Sequence, residues 1–146
     1  MKPDAFVAAL DDERIVAAIR EAEARSRGEI RVHVAEREVA DPRTEAAVVF
    51  ARLGMAETAE RNGVLVFVAP ESQSITVIGD REAHERCGEA FWTAVVETIR
   101  EEFRAGRYTE GIVAGVRVLG EELARHFPPR PGETDRNELP DGVSRG

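Results

Sequence analysis

The carboxylates best suited to hold a cation lie where a predicted strand gives way to a helical segment. Asp80 directly follows Gly79, and Glu85 and Glu89 come soon after it. Asn62 precedes the neighbouring strand and offers an amide oxygen. Hard divalent cations take several oxygen ligands from groups of this kind. The sequence therefore predicts a calcium or magnesium site formed by Asp80, Glu85, Glu89 and Asn62.

Each of these carboxylates also has a structural explanation. Asp80 is placed to cap a helix that begins near Arg81, and the glutamates would then lie on its solvated face beside Arg86. A second acidic edge allows the same two interpretations, and capping is favoured there. That edge consists of Asp11, Asp12, Glu36, Glu38 and Asp41. Because the spacing lacks the regularity of a calcium-binding loop, both interpretations stay open.

Nucleophilic catalysis has one candidate pair in this sequence. His84 lies three positions before Cys87, the single cysteine of the chain, so a helix would bring the two to one face. An isolated cysteine among helical residues is more often a small core residue. The sequence contains no glycine-rich phosphate loop and no Gly-x-Ser-x-Gly motif. We therefore assign no catalytic residue.

Composition limits the classes of partner. The chain has 146 residues, the usual size of one domain, and a net charge of -8. This charge would repel nucleic acid and anionic membranes, and no apolar run is long enough to span a bilayer. A single cysteine and a start without an apolar signal region favour a cytoplasmic protein. An acidic surface suits metal cations or a basic protein partner, although such a charge more often only keeps a domain soluble. The sequence identifies neither a partner nor the oligomeric state.

The first half of the chain predicts a helix, a strand and a second helix. Ile15, Ile19 and Ala22 form the apolar stripe of a helix that Asp11 caps. Glu29 to Ala35 alternates apolar and polar residues, which indicates a strand with one wet face and places His33 at the surface. Asp41 and Pro42 then start the next helix.

The second half adds two strands and two long helices. Residues 64–69 are apolar without alternation, as in a central strand, and residues 75–78 return antiparallel to it. One helix buries aromatic residues around Phe91 and Trp92. The last helix, for which Thr109 is the expected cap, has a stripe of Ile112, Val116, Leu119 and Leu123. Gly111 and Gly115 would let it approach a neighbour closely.

Together these elements predict an α/β fold, a three-layer α/β/α sandwich around a small mixed sheet. The sheet would contain a parallel βαβ unit and an antiparallel hairpin strand, with helices on both faces. The domain should occupy residues 1–128. Residues 129–146 are rich in proline and glycine, and we expect them to form a flexible tail.

Two segments carry a family resemblance. Arg61–Pro70 is similar to a stretch in which Asp-Asn-Gly opens an apolar strand, and Phe103–Ile112 matches Phe-Arg-x-Gly-x-Tyr-x-x-Gly-Ile. Both are features of the TPM domain family, which the chain resembles over roughly residues 11–127. Residues 52–55, Phe91-Trp92 and residues 137–141 are similar to a short, stand-alone bacterial branch.

The resemblance implies a mixed sheet between helices, acidic residues that bind calcium or magnesium in some members, and an association with acid phosphatase activity. The family aspartate before Asn-Gly is Arg61 here, so a cation replaces a cation ligand. We therefore expect a module that binds a divalent cation, a protein partner or both, without a nucleophile. The alternative is a metal-dependent phosphatase of phosphate monoesters. In a third hypothesis, residues 137–141 dock a partner or fold back on the domain.

Overall fold

The computed structural model describes residues 3–130 and 139–146 of the chain. Its elements are, in order, α1 (Pro3–Ala9), α2 (Asp12–Ala24), β1 (Glu29–Val34), α3 (Pro42–Arg52), a 3₁₀ turn (Met55–Glu57), β2 (Gly63–Ala69), β3 (Ser74–Gly79), α4 (Arg81–Cys87), α5 (Glu89–Arg104), α6 (Tyr108–His126) and β4 (Ser144–Arg145). The predicted order of helices and strands is confirmed from α2 to α6. Neither α1 nor β4 was predicted from the sequence.

A four-stranded mixed sheet in the order β3-β2-β1-β4 forms the centre of the fold. β1 runs parallel to β2, and β3 returns antiparallel to β2, so Glu29 pairs with Gly63 and Gly79 with Val64. All seven residues of β2 are buried, because its two faces are both covered by side chains. The predicted α/β fold and the central position of β2 are therefore confirmed.

Helices cover both faces of the sheet. On one face α2, α5 and α6 pack together over the side chains of Ile30, Val32, Val64 and Val66. On the other face α3 and the 3₁₀ turn cover Leu65, and Leu139 from the end of the chain packs with them. Every residue of β1 and β2 is therefore buried, on one face of the sheet or the other.

Two glycines of α6 bring it against α5. A Cβ built on Gly111 would lie 2.8 Å from the ring of Phe103, and one on Gly115 would lie 2.6 Å from the side chain of Ile99. No side chain fits at such distances, so both positions require glycine. The close approach predicted from their spacing is confirmed, and the stripe from Ile112 to Leu123 is fully buried.

The last residues of the chain differ from the expectation of a flexible tail. Leu139 is 9% exposed, and Ser144 and Arg145 form β4 beside His33 and Val34 of β1. The backbone N–H of Glu36 also donates to Gly146. The proline-rich composition failed to indicate this, because the segment gains its hydrogen bonds from the edge of a sheet and needs no core of its own. Of residues 137–141, the first two lie outside the described residues.

Thr109 has a different role from the one predicted. Arg107 precedes α6 at the cap position and provides no side-chain hydrogen bond, while Thr109 lies within the first turn. Its hydroxyl instead accepts a hydrogen bond of 3.0 Å from the backbone N–H of Asp11. Thr109 thus joins the start of α2 to the start of α6.

Within the parts of the chain that the structure describes, no helix has the length and apolar character needed to cross a membrane.

Candidate functional site

Arg61, Asn62 and Asp80 meet where β2 begins and β3 ends, and we name this group the Asp80 corner. Arg61 Nε donates to Asp80 Oδ2 at 2.7 Å, and Arg61 Nη2 donates to Oδ1 at 2.9 Å. Asp80 Oδ1 also accepts the backbone N–H of Arg81 at 2.8 Å. The carboxylate is therefore both the cap of α4 and one partner of a bidentate ion pair.

The electrostatics of Asp80 follow from these contacts. Burial works to raise the pKa of its carboxyl group, since its side chain is only 6% exposed. The hydrogen bonds from Arg61 and Arg81, and the charges of both guanidinium groups, outweigh this effect and hold the pKa below its usual value. Asp80 is therefore a carboxylate at neutral pH, and its charge is already compensated by the chain itself.

The backbone of Arg61 closes the corner from the other side. Its φ of 51° lies in the left-handed region, which is unfavourable for a residue with a long side chain. Its carbonyl accepts the N–H of Glu82 at 3.0 Å, in the first turn of α4. Because the side chain holds the cap residue while the carbonyl holds the helix, these bonds compensate for the strained conformation.

The structure brings only part of the predicted cation set together. Asn62 is buried near Asp80, and its Nδ2 donates to the carbonyl of Arg27 at 2.9 Å. Glu85 is exposed on α4, and Glu89 is exposed at the start of α5, where it forms an ion pair with Arg43 at 3.2 Å. In residues 3–130 and 139–146, no group of three or more His, Cys, Asp or Glu side chains is placed to hold a metal ion.

Two residues of the second acidic edge, Asp11 and Asp41, are helix caps. Asp11 accepts the N–H of Arg14, and Asp41 accepts the N–H of Thr44, each at 3.3 Å. Asp12 accepts two hydrogen bonds of 2.7 Å from Arg145, which fastens β4 to the start of α2. The capping interpretation of Asp11 and Asp41 is therefore confirmed.

Cys87 lacks the surroundings of a nucleophile. The pKa of its thiol is raised to about 11, mainly by burial and also by the charge of Glu122. Trp92 Nε1 donates to His84 Nδ1 at 2.9 Å, so His84 is engaged with a ring of the neighbouring helix. This pair therefore does not resemble an activated thiol and its base.

A second polar group lies under the end of the chain, and we name Glu23, Glu29, Arg31 and Asp141 the buried charge cluster. Glu23, Glu29 and Arg31 are 3–7% exposed, although β1 was predicted to have one wet face. That prediction was wrong, because all six residues of β1 are buried. Residues 139–146 cover the face that would otherwise contact water.

The contacts of the cluster join α2, β1 and the last residues of the chain. Glu23 Oε2 accepts the backbone N–H of Ile30 at 2.9 Å, while Arg31 Nη2 donates to the carbonyl of Gly142 at 3.2 Å. Glu23 also shares a hydrogen bond with Asp141. Arg31 Nε is buried and has no hydrogen-bond partner among the residues described. The cluster is thus a charged group inside the protein and only partly satisfied.

Burial dominates the protonation of this cluster. It raises the pKa of Glu23 to about 9, and the hydrogen bond and charge of Asp141 act in the same direction. Burial also lowers the pKa of Arg31, although the charges of Asp141 and Glu23 oppose that effect. Glu23 is therefore protonated at neutral pH, and its contact with Asp141 is a hydrogen bond instead of a repulsion between two charges.

His33 continues the buried face of β1. It was expected at the surface, but it is 1% exposed, because it stacks on Phe67 at 5.5 Å and Ser144 covers its edge. Its Nδ1 lies 2.9 Å from Ser144 Oγ. Burial lowers its pKa, and the positive charge of Arg52 lowers it further. The sequence carried no signal for this, since an alternating strand looks the same whether a tail covers it or not.

Comparison with known proteins gives a matching family and a set of similar solved structures. The profile of the TPM domain family matches residues 3–122. The NMR structure of the BA42 protein from the psychrophilic bacterium Bizionia argentinensis is 35% identical, with a TM-score of 0.85 over 94% of this chain and 96% of that one. The N-terminal domain of a P. gingivalis protein is 17% identical, with a TM-score of 0.61 over 79% of this chain and 72% of that one, and shares the fold. No protein with a curated description matches.

Proposed function

Since the chain belongs to the TPM domain family, we propose that it is a non-enzymatic binding module whose Asp80 corner is organised by an internal ion pair and not by a resident divalent cation. The observation that supports this proposal is the bidentate contact of Arg61 with Asp80, at 2.7 and 2.9 Å. The guanidinium group lies where the resemblance implies a carboxylate, and it supplies the positive charge that a metal ion would otherwise bring.

The ion pair occupies the two carboxylate oxygens of Asp80 that a cation would need as ligands. Both oxygens of Asp80 accept charge-assisted hydrogen bonds from Arg61, and one of them also caps α4. Charge-assisted bidentate pairs are among the strong contacts in proteins, and this one is partly shielded from water. A divalent cation would have to displace Arg61 and lose part of its own hydration before it could bind Asp80.

The predicted ligands of calcium or magnesium are still Asp80, Asn62, Glu85 and Glu89. Under this proposal a cation would have to compete with Arg61 for Asp80. Glu85 is exposed on the helix that Asp80 caps and would favour a cation there, while Glu89 is already paired with Arg43. Because Arg61 opposes cation binding, we expect an affinity no better than the weak extracellular calcium modules, about 1 mM. The alternative, a metal-dependent phosphatase, would need the same cation at the same place.

A residue-resolved NMR titration of the chain with calcium and then magnesium, in buffer without phosphate, tests the proposal. Arg61→Asp returns the aspartate of the family and removes the competing charge, and Arg61→Asn is its neutral control. Aspartate and asparagine both tolerate the left-handed backbone. We expect saturable shifts at Asn62 and Asp80 in Arg61→Asp below about 1 mM, and none there in the natural chain.

The two proteins should therefore differ by about tenfold or more in apparent affinity, with Arg61→Asn between them. If the natural chain saturates at the same calcium concentration as Arg61→Asp, the ion pair does not replace a cation and the proposal fails. Release of phosphate from an aryl phosphate by the natural chain, abolished by a chelator, would favour the phosphatase instead.

A further inference from the structure

A cleft of about 280 Å³ opens at the other end of the sheet, where β2 ends and β3 begins. The end of α5 and the starts of α1 and α6 form its walls. Since β2 spans seven residues, the cleft lies roughly 20 Å from the Asp80 corner. Open α/β sheets commonly bind ligands beyond the carboxyl ends of parallel strands, and β2 is such a strand.

Three aromatic rings form the floor of this cleft. The ring of Phe6 lies 4.9 Å from that of Tyr108 and 5.4 Å from that of Phe103, and the last two rings are 5.4 Å apart. Phe6 is buried, but Phe103 and Tyr108 are only partly covered. Val68 and Ile75 add aliphatic surface. The floor would therefore accept the apolar body of a ligand, preferably a flat one.

The rim of the cleft is positive, in a chain whose net charge is -8. Arg100 and Arg104 line it, and among the side chains that the structure describes no acidic one does. Arg100 is paired with Glu97 at 2.7 Å and keeps 37% of its side chain exposed. Arg104 is exposed and has no acidic partner within the described ranges. A helix C-terminus favours arginine in any case, but here both side chains border an apolar cleft.

The turn between β2 and β3 supplies neutral polar groups at the same opening. Gln73 has a φ of 51°, in the left-handed region, and its N–H donates to Pro70 at 3.1 Å. This conformation is unfavourable for glutamine, and such strain is concentrated at binding sites. Gln73 and Ser74 both line the cleft and would hydrogen-bond to the polar end of a ligand.

We propose that this cleft binds a small amphipathic monoanion, an aromatic or short aliphatic body that ends in one carboxylate. The body lies on Phe103 and Tyr108. The carboxylate faces Arg104 and Arg100, because the planar guanidinium group matches the two oxygens of a carboxylate. At about 30 Å³ for each water-sized group, the volume suits a ligand of about ten non-hydrogen atoms. This site is separate from the Asp80 corner and does not depend on the function proposed there.

An NMR titration of the full chain with 3-phenylpropionate tests the proposal. We expect saturable shifts of the amides of Ser74, Phe103 and Arg104, with a Kd on the order of 1 mM, as for other ligands of this size. Propionate has the charge without the ring, and 3-phenylpropan-1-ol has the ring without the charge. Each should bind at least about fivefold more weakly.

Arg104→Glu reverses the charge at the rim and should weaken the binding of 3-phenylpropionate by about tenfold. Arg117→Glu is the matched control, since Arg117 is also exposed on a helix and has no acidic partner in the structure as described, but it lies outside the cleft. It should leave the affinity unchanged. Three results would overturn the proposal: no saturable shift in the cleft, equal binding of the alcohol, or equal loss in the two variants.

Discussion

The Asp80 corner and the buried charge cluster are two ways of keeping charged residues beside a sheet. In the corner each charge has a near and well-oriented partner, so Arg61 and Asp80 neutralise each other at 2.7 Å. In the cluster three carboxyl groups and one guanidinium group lie together, and one of the carboxyl groups, that of Glu23, holds a proton. The corner resembles a closed ion pair, while the cluster is a buried group that titrates.

The difference between them reflects what covers each region. The corner is built by two adjoining segments, and it retains some contact with water through Arg61, whose side chain is 37% exposed. The cluster is closed by residues 139–146, which lie far along the sequence from Glu23 and Arg31. Burial therefore controls the pKa values of the cluster, while specific partners control that of Asp80.

Removal of the positive charge from the cluster should have the largest effect. We expect Arg31→Met to lower the free energy of unfolding by about 3 kcal/mol, because it leaves buried carboxyl groups without their counter-charge. Urea denaturation measures this. Arg20→Met is the control, since Arg20 also reaches Asp141, at 3.4 Å, but its side chain is 71% exposed. Equal losses in the two variants would mean that burial is not the cause.

Removal of the carboxylate from the corner should have a smaller effect. We expect Asp80→Ala to cost about 2 kcal/mol, since it removes a helix cap and the partner of Arg61 together. Asp41→Ala removes only a cap and should cost less in the same thermal or urea measurement. Salt should reduce the loss at Asp80 and leave that at Arg31 nearly unchanged. A salt-independent loss at Asp80 would contradict the partly exposed ion pair.

The third effect should be confined to the pH dependence of the free energy of unfolding. The pKa of Glu23 is raised to about 9, so the folded state holds a proton that the unfolded chain releases near pH 4.5. The stability that this proton brings is complete below pH 4.5 and is lost as the pH rises to about 9. Glu23→Gln should remove this dependence and stabilise the protein at pH 8, by an amount that grows as the pH rises from 5 to 8.

Denaturation at pH 5 and pH 8 measures the effect, with Glu13→Gln, an exposed position of the same helix, as control. The difference between the two proteins should shrink from pH 8 to pH 5 and vanish below pH 4.5. If Glu23→Gln lowers the free energy of unfolding by the same amount at pH 5 and pH 8, Glu23 is ionised in the folded protein. The buried charge cluster would then not differ from the Asp80 corner by holding a proton.

The elements of the fold were largely predictable because their signals are local. The caps Asp11, Asp41 and Asp80 precede their helices, and the apolar run of β2 needs no knowledge of its neighbours. Gly111 and Gly115 likewise predict a close helix contact from spacing alone. Periodicity and capping act over a few residues, so a sequence displays them directly.

The candidate site was only half predictable. The parallel β1 and β2 and the returning β3 bring Asn62 and Asp80 to one edge, which follows from topology. That Arg61 would turn its guanidinium group onto Asp80 depends on a left-handed backbone and on the exact end of β3. Neither is a property of local composition.

The sequence by itself thus determined the α/β fold, the order of α2 to α6 and the position of the acidic edge. Only the tertiary structure decided that Arg61 occupies that edge, that the last residues join the sheet, and that Glu23, Arg31 and His33 are buried. The physical reason is that burial and pairing between distant segments depend on which surface covers which, and a residue such as Arg31 has the same local sequence signal on a wet face as on a covered one.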